Sequence, residues 1–230
     1  MTVVDLGYAP GAWTEVAVEY TKPNGRVIGV DILPTVPPTG ASTFQGNFLS
    51  ENVQLSVKRF LASADRGRSQ KHFMGGHGYF EAEREKEGGR GGIGHKNVGK
   101  DTVNVVLSDM CEPWPLGVGQ WASGVKQPYL RLMNVSGLRL RDHVHSMDLC
   151  VSALLFSIDV LKPGGDFVCK YYSGGFDKEL EAGLKMAFEK VTRDKPDSSR
   201  PESREAFFVA KTKKSSVTKE QVLAAMPNLV

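Results

Sequence analysis

The chain is poor in cysteine. Three are spread over 230 residues, Cys111, Cys150 and Cys169, with no Cys-x-x-Cys spacing. An odd count without such spacing supports neither a disulfide framework nor a structural zinc site, and points to a reducing compartment. Long hydrophobic runs are also missing. No stretch approaches the ~20 consecutive apolar residues of a membrane span, so an integral membrane protein is not expected. Neither sign of charge dominates: 29 Lys and Arg against 26 Asp and Glu leave +3, with an isoelectric point near 8.7. Such a mild excess permits a nucleic-acid partner without demanding one. The amino terminus is neither Arg- and Ser-rich nor a basic segment followed by an apolar one, so no targeting peptide is read from this chain. Internal repeats are absent too. What remains, 40% hydrophobic and 24% charged residues, is an ordinary globular composition at one-domain length.

Within it, short β-branched runs alternate with helical patterns. Val3–Leu6, Arg26–Asp31, Val103–Asp109 and Asp166–Tyr171 are nearly continuous in apolar residues, as buried parallel strands are. Helical periodicity predicts helices over Gly11–Tyr20, Ser50–Leu61, Leu138–Leu161 and Phe176–Val191. The third of these places Leu140, Val144, Met147, Val151, Leu154, Leu155, Ile158 and Leu161 on one stripe. Lys162-Pro163-Gly164-Gly165 ends it. Ala206–Lys211, close behind a short strand around Val191, reads as a terminal hairpin. The expected fold is α/β: a doubly wound, Rossmann-like sheet, mostly parallel with an antiparallel C-terminal strand and helices on both faces. Residues 64–100 break the pattern, with ten glycines and a mixed-charge run, and are expected to be a flexible surface insertion. A tail from 215 to 230 follows the domain and is expected to hold a short loose helix.

Two elements suggest a nucleoside ligand. The first strand ends in Asp-x-Gly-x-x-x-Gly and leads into a helix, a turn that lets ligand atoms approach the backbone at the carboxyl edge of a sheet. The second strand ends "VDILP", placing Asp31 where an acidic side chain accepts hydrogen bonds from ribose hydroxyls. The turn is not Gly-x-Gly-x-x-Gly, which argues against a pyrophosphate cradle and a nicotinamide-dependent oxidoreductase. A glycine turn made for packing, and an aspartate capping a nearby turn, are the plain alternatives.

Together "DLGYAPGAW", "VDILP", "FQGNF", "VLSDM", "LKPGGDFVCK" and "KPDSSRPESREAFFVA" resemble, in that order, the FtsJ/RrmJ family of ribosomal RNA ribose 2′-O-methyltransferases. "SDMCEPWP" and "RDHVHSMDLC" are most similar to its fungal mitochondrial branch. The resemblance runs from the first residue to about 214. It implies one S-adenosylmethionine-dependent methyltransferase domain over 1–214 and a uridine of mitochondrial large-subunit ribosomal RNA as substrate. It also implies a role in ribosome assembly, a pre-ribosomal particle as partner, and a mitochondrial location.

By the same resemblance Gly11 and Trp13 contact the methionine part of the cofactor, with Gly7 shaping the turn. Asp31 takes the ribose, and Asn47 stands near adenine where the family commonly has aspartate. Asp109, Lys170 and Glu205 match three members of a Lys-Asp-Lys-Glu catalytic set, and Asp109 also borders the cofactor. The first lysine of that set belongs to a helix ahead of strand one. Nothing in this sequence matches it, so the gene product is expected to start earlier; a truncated relative that binds ribosomal RNA without methylating it is the alternative. No metal is implied.

Methyl transfer from a sulfonium to a 2′-hydroxyl is an in-line displacement on a weak nucleophile, which needs a group to take or polarise its proton. Lys170 does this only in so far as some of it is neutral. Burial and a second cation lower its pKa, while Asp109 and Glu205 raise it. The plain alternative is a simple Asp109–Lys170 ion pair across strand ends. Other residues carry less. His143 and His145 lie two apart on a helix, and His72, His77 and His95 lack ligand spacing. Trp114 and Trp121 suit base stacking or packing. Arg193, Lys195, Arg200 and Arg204 suit phosphate contacts or a solvated surface.

Overall fold

The computed structural model describes residues 1–63, 66–67, 98–112, 114–115, 132–133, 135–200 and 202–229. The strands are β1 (Thr2–Leu6), β2 (Arg26–Asp31), β3 (Ala41–Gln45), β4 (Val103–Ser108), β5 (Trp114–Pro115), β6 (Leu132–Met133), β7 (Leu161–Tyr172), β8 (Phe188–Asp194) and β9 (Glu205–Lys213). The helices are α1 (Ala12–Thr21), α2 (Glu51–Ala62), α3 (Arg139–Val160), α4 (Asp177–Ala187) and α5 (Lys219–Ala224). Seven strands form one sheet in the order β3-β2-β1-β4-β7-β9-β8, and only β9 runs antiparallel to its neighbours. The expected doubly wound sheet with an antiparallel C-terminal strand is therefore the fold. β5 and β6 pair separately. The insertion expected at 64–100 lies outside the described residues except for 66–67 and 98–100.

The two faces of the sheet are unequally covered. Val4, Leu6, Ile28, Val30, Phe167, Cys169 and Phe208 point into a core shared with α2, α3, α4 and α5. On the opposite face α1 covers a small cluster in which Val3, Ala17 and Val27 are buried. Beside α1 an apolar groove of about 380 Å³ runs over Val3, Val105 and Leu107, with Trp13, Val16 and Tyr20 on its wall.

Four local departures from the sequence reading have physical causes. The edge strand β3, Ala-Ser-Thr-Phe-Gln, is half buried and too polar to show as a strand; pairing with β2 from Val27↔Ala41 to Asp31↔Gln45 makes it one. The helix expected to reach Val191 stops at Ala187, because Phe188 onward pairs with β9. Lys162–Gly165 is not a clean turn but a bulge inside β7: Val103 pairs with Leu161 and Val105 with Asp166, with Gly164 at φ 80°. Finally, the expected stripe of α3 holds from Met147 through Val151, Leu154, Ile158 and Leu161, all buried, but not over the first turns. Leu140 and Val144 are exposed at 72% and 38%, whereas His143, Ser146 and Cys150 are buried.

The tail is better anchored than expected. Thr218 and Gln221 form reciprocal capping bonds at the start of α5, and Val222 and Met226 are buried in the main core.

Charged groups close the far ends of two helices. Arg26, 2% exposed, donates from Nη1 to the Leu61 carbonyl at 3.1 Å and from Nη2 to the Phe60 carbonyl, with its guanidinium 5.0 Å from the Phe60 ring centre. It thus satisfies carbonyls at the C-terminus of α2 and meets the negative end of the helix dipole. Lys213 does the same for α3, donating to Ile158 and Leu161 carbonyls at 2.6 Å. Arg26→Met keeps the bulk and removes the donors, so urea unfolding should show a loss of about 2–3 kcal/mol.

Candidate functional site

Strand register brings the chemistry to one place. Asp5 pairs with Gly29 and Leu107, Leu107 with Val168, and Val168 with Val209. Directly opposed residues share a face, and residues two apart along a strand do too. Asp31, two beyond Gly29, Asp109, two beyond Leu107, and Lys170, two beyond Val168, therefore stand in the next row on the α1 face, where Lys170 opposes Phe207. One row further, Tyr172 opposes Glu205. Asp31, Asp109, Lys170 and Glu205 thus lie on one face at one rim.

At the centre is an ion pair. Lys170 Nζ lies 3.0 Å from Asp109 Oδ1 and donates to the Asp109 carbonyl at 3.0 Å, and the Asp109 amide is tied to the Leu6 carbonyl at 2.9 Å. The Lys170 side chain is 8% exposed and that of Asp109 36%, so the amine is sheltered and the acid faces the crevice. Burial alone pushes the amine down, but Asp109, Cys111 and Glu205 outweigh it and hold it above the ordinary lysine value. The balance left open by sequence thus falls on the ammonium side. Glu205 Oε1 accepts a hydrogen bond from Tyr172 Oη at 3.3 Å.

The opening turn has the shape required for close approach. Gly7 has φ 77° and Gly11 φ 123°; a Cβ on Gly7 would stand 2.8 Å from the Met110 backbone, and one on Gly11 2.7 Å from Pro38 Cγ. Gly11 also starts α1, accepting from the Glu15 amide at 2.8 Å, so the positive end of the helix dipole faces this turn. Asp31 Oδ2 accepts from the Ala9 amide at 2.9 Å and Oδ1 from the Leu33 amide at 2.8 Å. It therefore braces the turn, and its remaining lone pairs are what a ribose hydroxyl would use. Asn47 is exposed and its Oδ1 accepts from the Leu49 amide at 3.0 Å. Trp13 reaches the other way along the rim, its ring centre 5.5 Å from that of Phe207, and walls a second cavity of about 460 Å³ that Glu205, Asp194 and Ser199 also line.

Three residues at this rim escaped the sequence reading. Asp5 is fully buried; Oδ2 accepts from the Thr14 hydroxyl at 2.6 Å, while Oδ1 has no partner. Burial pushes its pKa up to about 6; the Thr14 bond opposes this and the charges of Asp109 and Asp31 add to it. Cys111, its thiol pushed up chiefly by burial, shares the electrostatic field of Lys170. Tyr172 is the third. The only signals in sequence were position: Asp5 ends a strand two residues before the turn glycine, and Tyr172 follows Lys170 by two.

The secondary candidates resolve differently. His143 donates from Nδ1 to the Tyr172 carbonyl at 2.7 Å and accepts at Nε2 from the Phe176 amide at 3.0 Å, so both ring nitrogens serve the backbone. Arg193 is committed to Glu181 at 2.6 Å and Asp177 at 3.5 Å, Lys195 donates to the Ser203 carbonyl at 2.9 Å, and Arg204 donates to the Ser173 carbonyl. Arg200 is exposed. His72, His77, His95, Trp121 and the side chain of Trp114 lie outside the described residues, and among the described residues no cluster of His, Cys, Asp and Glu has metal-binding geometry.

Asp5 gives the site a measurable signature. Its carboxyl goes from 3.8, the ordinary value, to about 6 on folding, so the folded chain holds that proton more tightly than the unfolded one. The stability tied to it is present below about pH 4 and lost as pH rises through about 6. Asp5→Asn removes the penalty. Denaturant unfolding should show the variant more stable by about 2–3 kcal/mol at pH 8 and indistinguishable from wild type at pH 3.5.

Comparison with known proteins shows the family of the chain. The sequence profile of the FtsJ-like methyltransferase family matches residues 1–213. The chain is 35% identical over 251 aligned positions to the mitochondrial rRNA methyltransferase 2 of Saccharomyces cerevisiae, covering 96% of this chain and 76% of that protein. It is 32% identical to the protein of the same name from Schizosaccharomyces pombe, covering 92% and 76%. Among solved structures, a ribosomal RNA methyltransferase of Plasmodium falciparum shares the fold with a TM-score of 0.58 at 22% identity, covering 93% of this chain and 87% of that one. With its glycine turn, its sheet order and its rim of acids around one buried lysine, the chain belongs to the FtsJ-like methyltransferase family.

Proposed function

We propose that the protein is an S-adenosylmethionine-dependent ribosomal RNA methyltransferase that modifies the ribose 2′-hydroxyl of a uridine in mitochondrial large-subunit ribosomal RNA. The observation that carries this reading is the buried Lys170 held 3.0 Å from Asp109 at the rim, with Glu205 in the neighbouring row. The names of the yeast relatives support the ribosomal RNA substrate and the mitochondrial location.

The residues present fit the cofactor. The positive end of α1 at Gly11 suits its carboxylate, the unpartnered Oδ1 of Asp5 suits its ammonium, Asp31 suits the ribose hydroxyls, and Asn47 suits the adenine amino group. Gly7, Gly11 and Asp109 stand at the same rim, while Trp13 packs toward Phe207. When bound, S-adenosylmethionine supplies a methyl group on a sulfonium centre. The protein's part is to hold the hydroxyl in line with it, which accounts for much of the rate, and to take the proton the oxygen sheds. Lys170 in its neutral form is the acceptor, while Asp109 and Glu205 keep the resulting ammonium in place.

Labelled methyl transfer to mitochondrial ribosomal RNA tests the reading, followed by nucleoside mass spectrometry. Wild type should yield 2′-O-methyluridine in the large-subunit RNA, and Lys170→Ala should be slower by about 10²–10⁴-fold. Equal label from both proteins, or none from wild type, would overturn it. A pH series adds a sign. Because the free protein holds Lys170 above the ordinary lysine value, kcat/KM should climb without a plateau from about pH 7 to about pH 9.

A further inference from the structure

β7 overhangs its neighbour. The last register pair with β4 is Ser108↔Cys169, so Lys170, Tyr171 and Tyr172 continue past the end of β4 with no strand on that side among the described residues. Backbone groups left without a ladder partner in a buried place are costly. Here α3 takes over. Cys150 Sγ donates to the Lys170 carbonyl at 3.1 Å, Ser146 Oγ accepts from the Tyr172 amide at 2.8 Å, and His143 Nδ1 donates to the Tyr172 carbonyl at 2.7 Å. These residues are spaced 3 and 4 apart, one stripe of the helix, and the stripe acts as a substitute strand. It fixes the main chain of Tyr172 on both its donor and its acceptor.

A side chain on so fixed a backbone is well suited to hold another. Tyr172 is 7% exposed, stands directly opposite Glu205 in the β7–β9 register, and points its hydroxyl to Glu205 Oε1 at 3.3 Å. We infer that Tyr172 is a positioning residue for the transfer reaction: its phenol keeps the Glu205 carboxylate aimed at the Lys170 ammonium. The inference rests on the catalytic reading of Lys170 and Glu205 given above. Independent support comes from the electrostatics. Glu205 contributes to holding the Lys170 amine up, and burial together with Glu205, Cys111 and Asp142 holds the Tyr172 phenol above its ordinary value, so that it remains a donor. A carboxylate on an edge-row side chain would otherwise sample several rotamers, only some of them near the amine.

Tyr172→Phe removes one oxygen and keeps the packing. In the methyl-transfer assay the rise of kcat with pH should move to lower pH, with KM for RNA and the thermal midpoint unchanged. In a Glu205→Gln background, with that carboxylate gone, the same substitution should do nothing further, since a residue acting only through a partner shows full coupling in a double-mutant cycle. A readout free of turnover accompanies it: the ¹⁵Nζ resonance of Lys170 should titrate at lower pH in Tyr172→Phe than in wild type, because Glu205 no longer stays close. An unchanged titration would overturn the inference whether or not the protein methylates RNA. So would an equal shift of the pH profile in both backgrounds, or a change that tracks a lowered thermal midpoint. Absence of turnover in wild type would instead strike the catalytic reading, and the titration alone would then decide the positioning role.

Discussion

A strand that outruns its sheet is the constraint on which this molecule is organised. Lys170 reaches the rim because β7 continues beyond β4, and β7 can continue because α3 offers a histidine, a serine and a thiol where a strand would have offered amides and carbonyls. The cost falls on the helix. Its first turns give up Leu140 and Val144 to solvent in order to bury polar side chains. In most core helices burial selects the apolar stripe; here, over two turns, hydrogen bonding does, since an orphaned backbone pair at the rim costs as much as a poorly packed leucine.

The same economy governs the rim itself. Asp5, Asp31, Asp109 and Glu205 share one rim with the buried amine of Lys170, which Asp109 pairs directly. Two of the four find backbone or lysine partners: Asp31 the Ala9 and Leu33 amides, Asp109 the Lys170 amine. Asp5 does not, because its second oxygen faces nothing. A sheet rim with surplus negative charge is poorly suited to anionic ligands and well suited to cationic ones, whereas the start of α1 offers the opposite sign close by. A zwitterionic ligand matches both.

Much of this was legible in the sequence. β-branched runs gave the strands of the sheet's centre, because those strands are buried on both faces and read as continuous apolar segments. The glycine turn and Asp31 were legible because each lies at a strand end, whereas Asp109, Lys170 and Glu205 were legible through the motifs that resemble the family's. β3 was not, since a half-covered edge strand needs no apolar run. Neither was the polar stripe of α3: Leu140 and Val144 fit a helical period as well as the residues that are actually buried, and only the overhang of β7 decides between them. Tyr172 carried no signal of its own. Its ring is buried, and nothing in the chain order says that Glu205 lies opposite.

The bare oxygen of Asp5 couples ligand supply to the survival of the fold. Near neutral pH the empty protein carries the full cost of an ionised, dehydrated carboxylate, and any cationic group seated against it relieves that cost at once. Occupancy then stabilises the native state by mass action, with the relief of that cost contained in the ligand's affinity. A cell short of that ligand would clear the protein faster, so the lifetime of the chain would follow the concentration of what it binds.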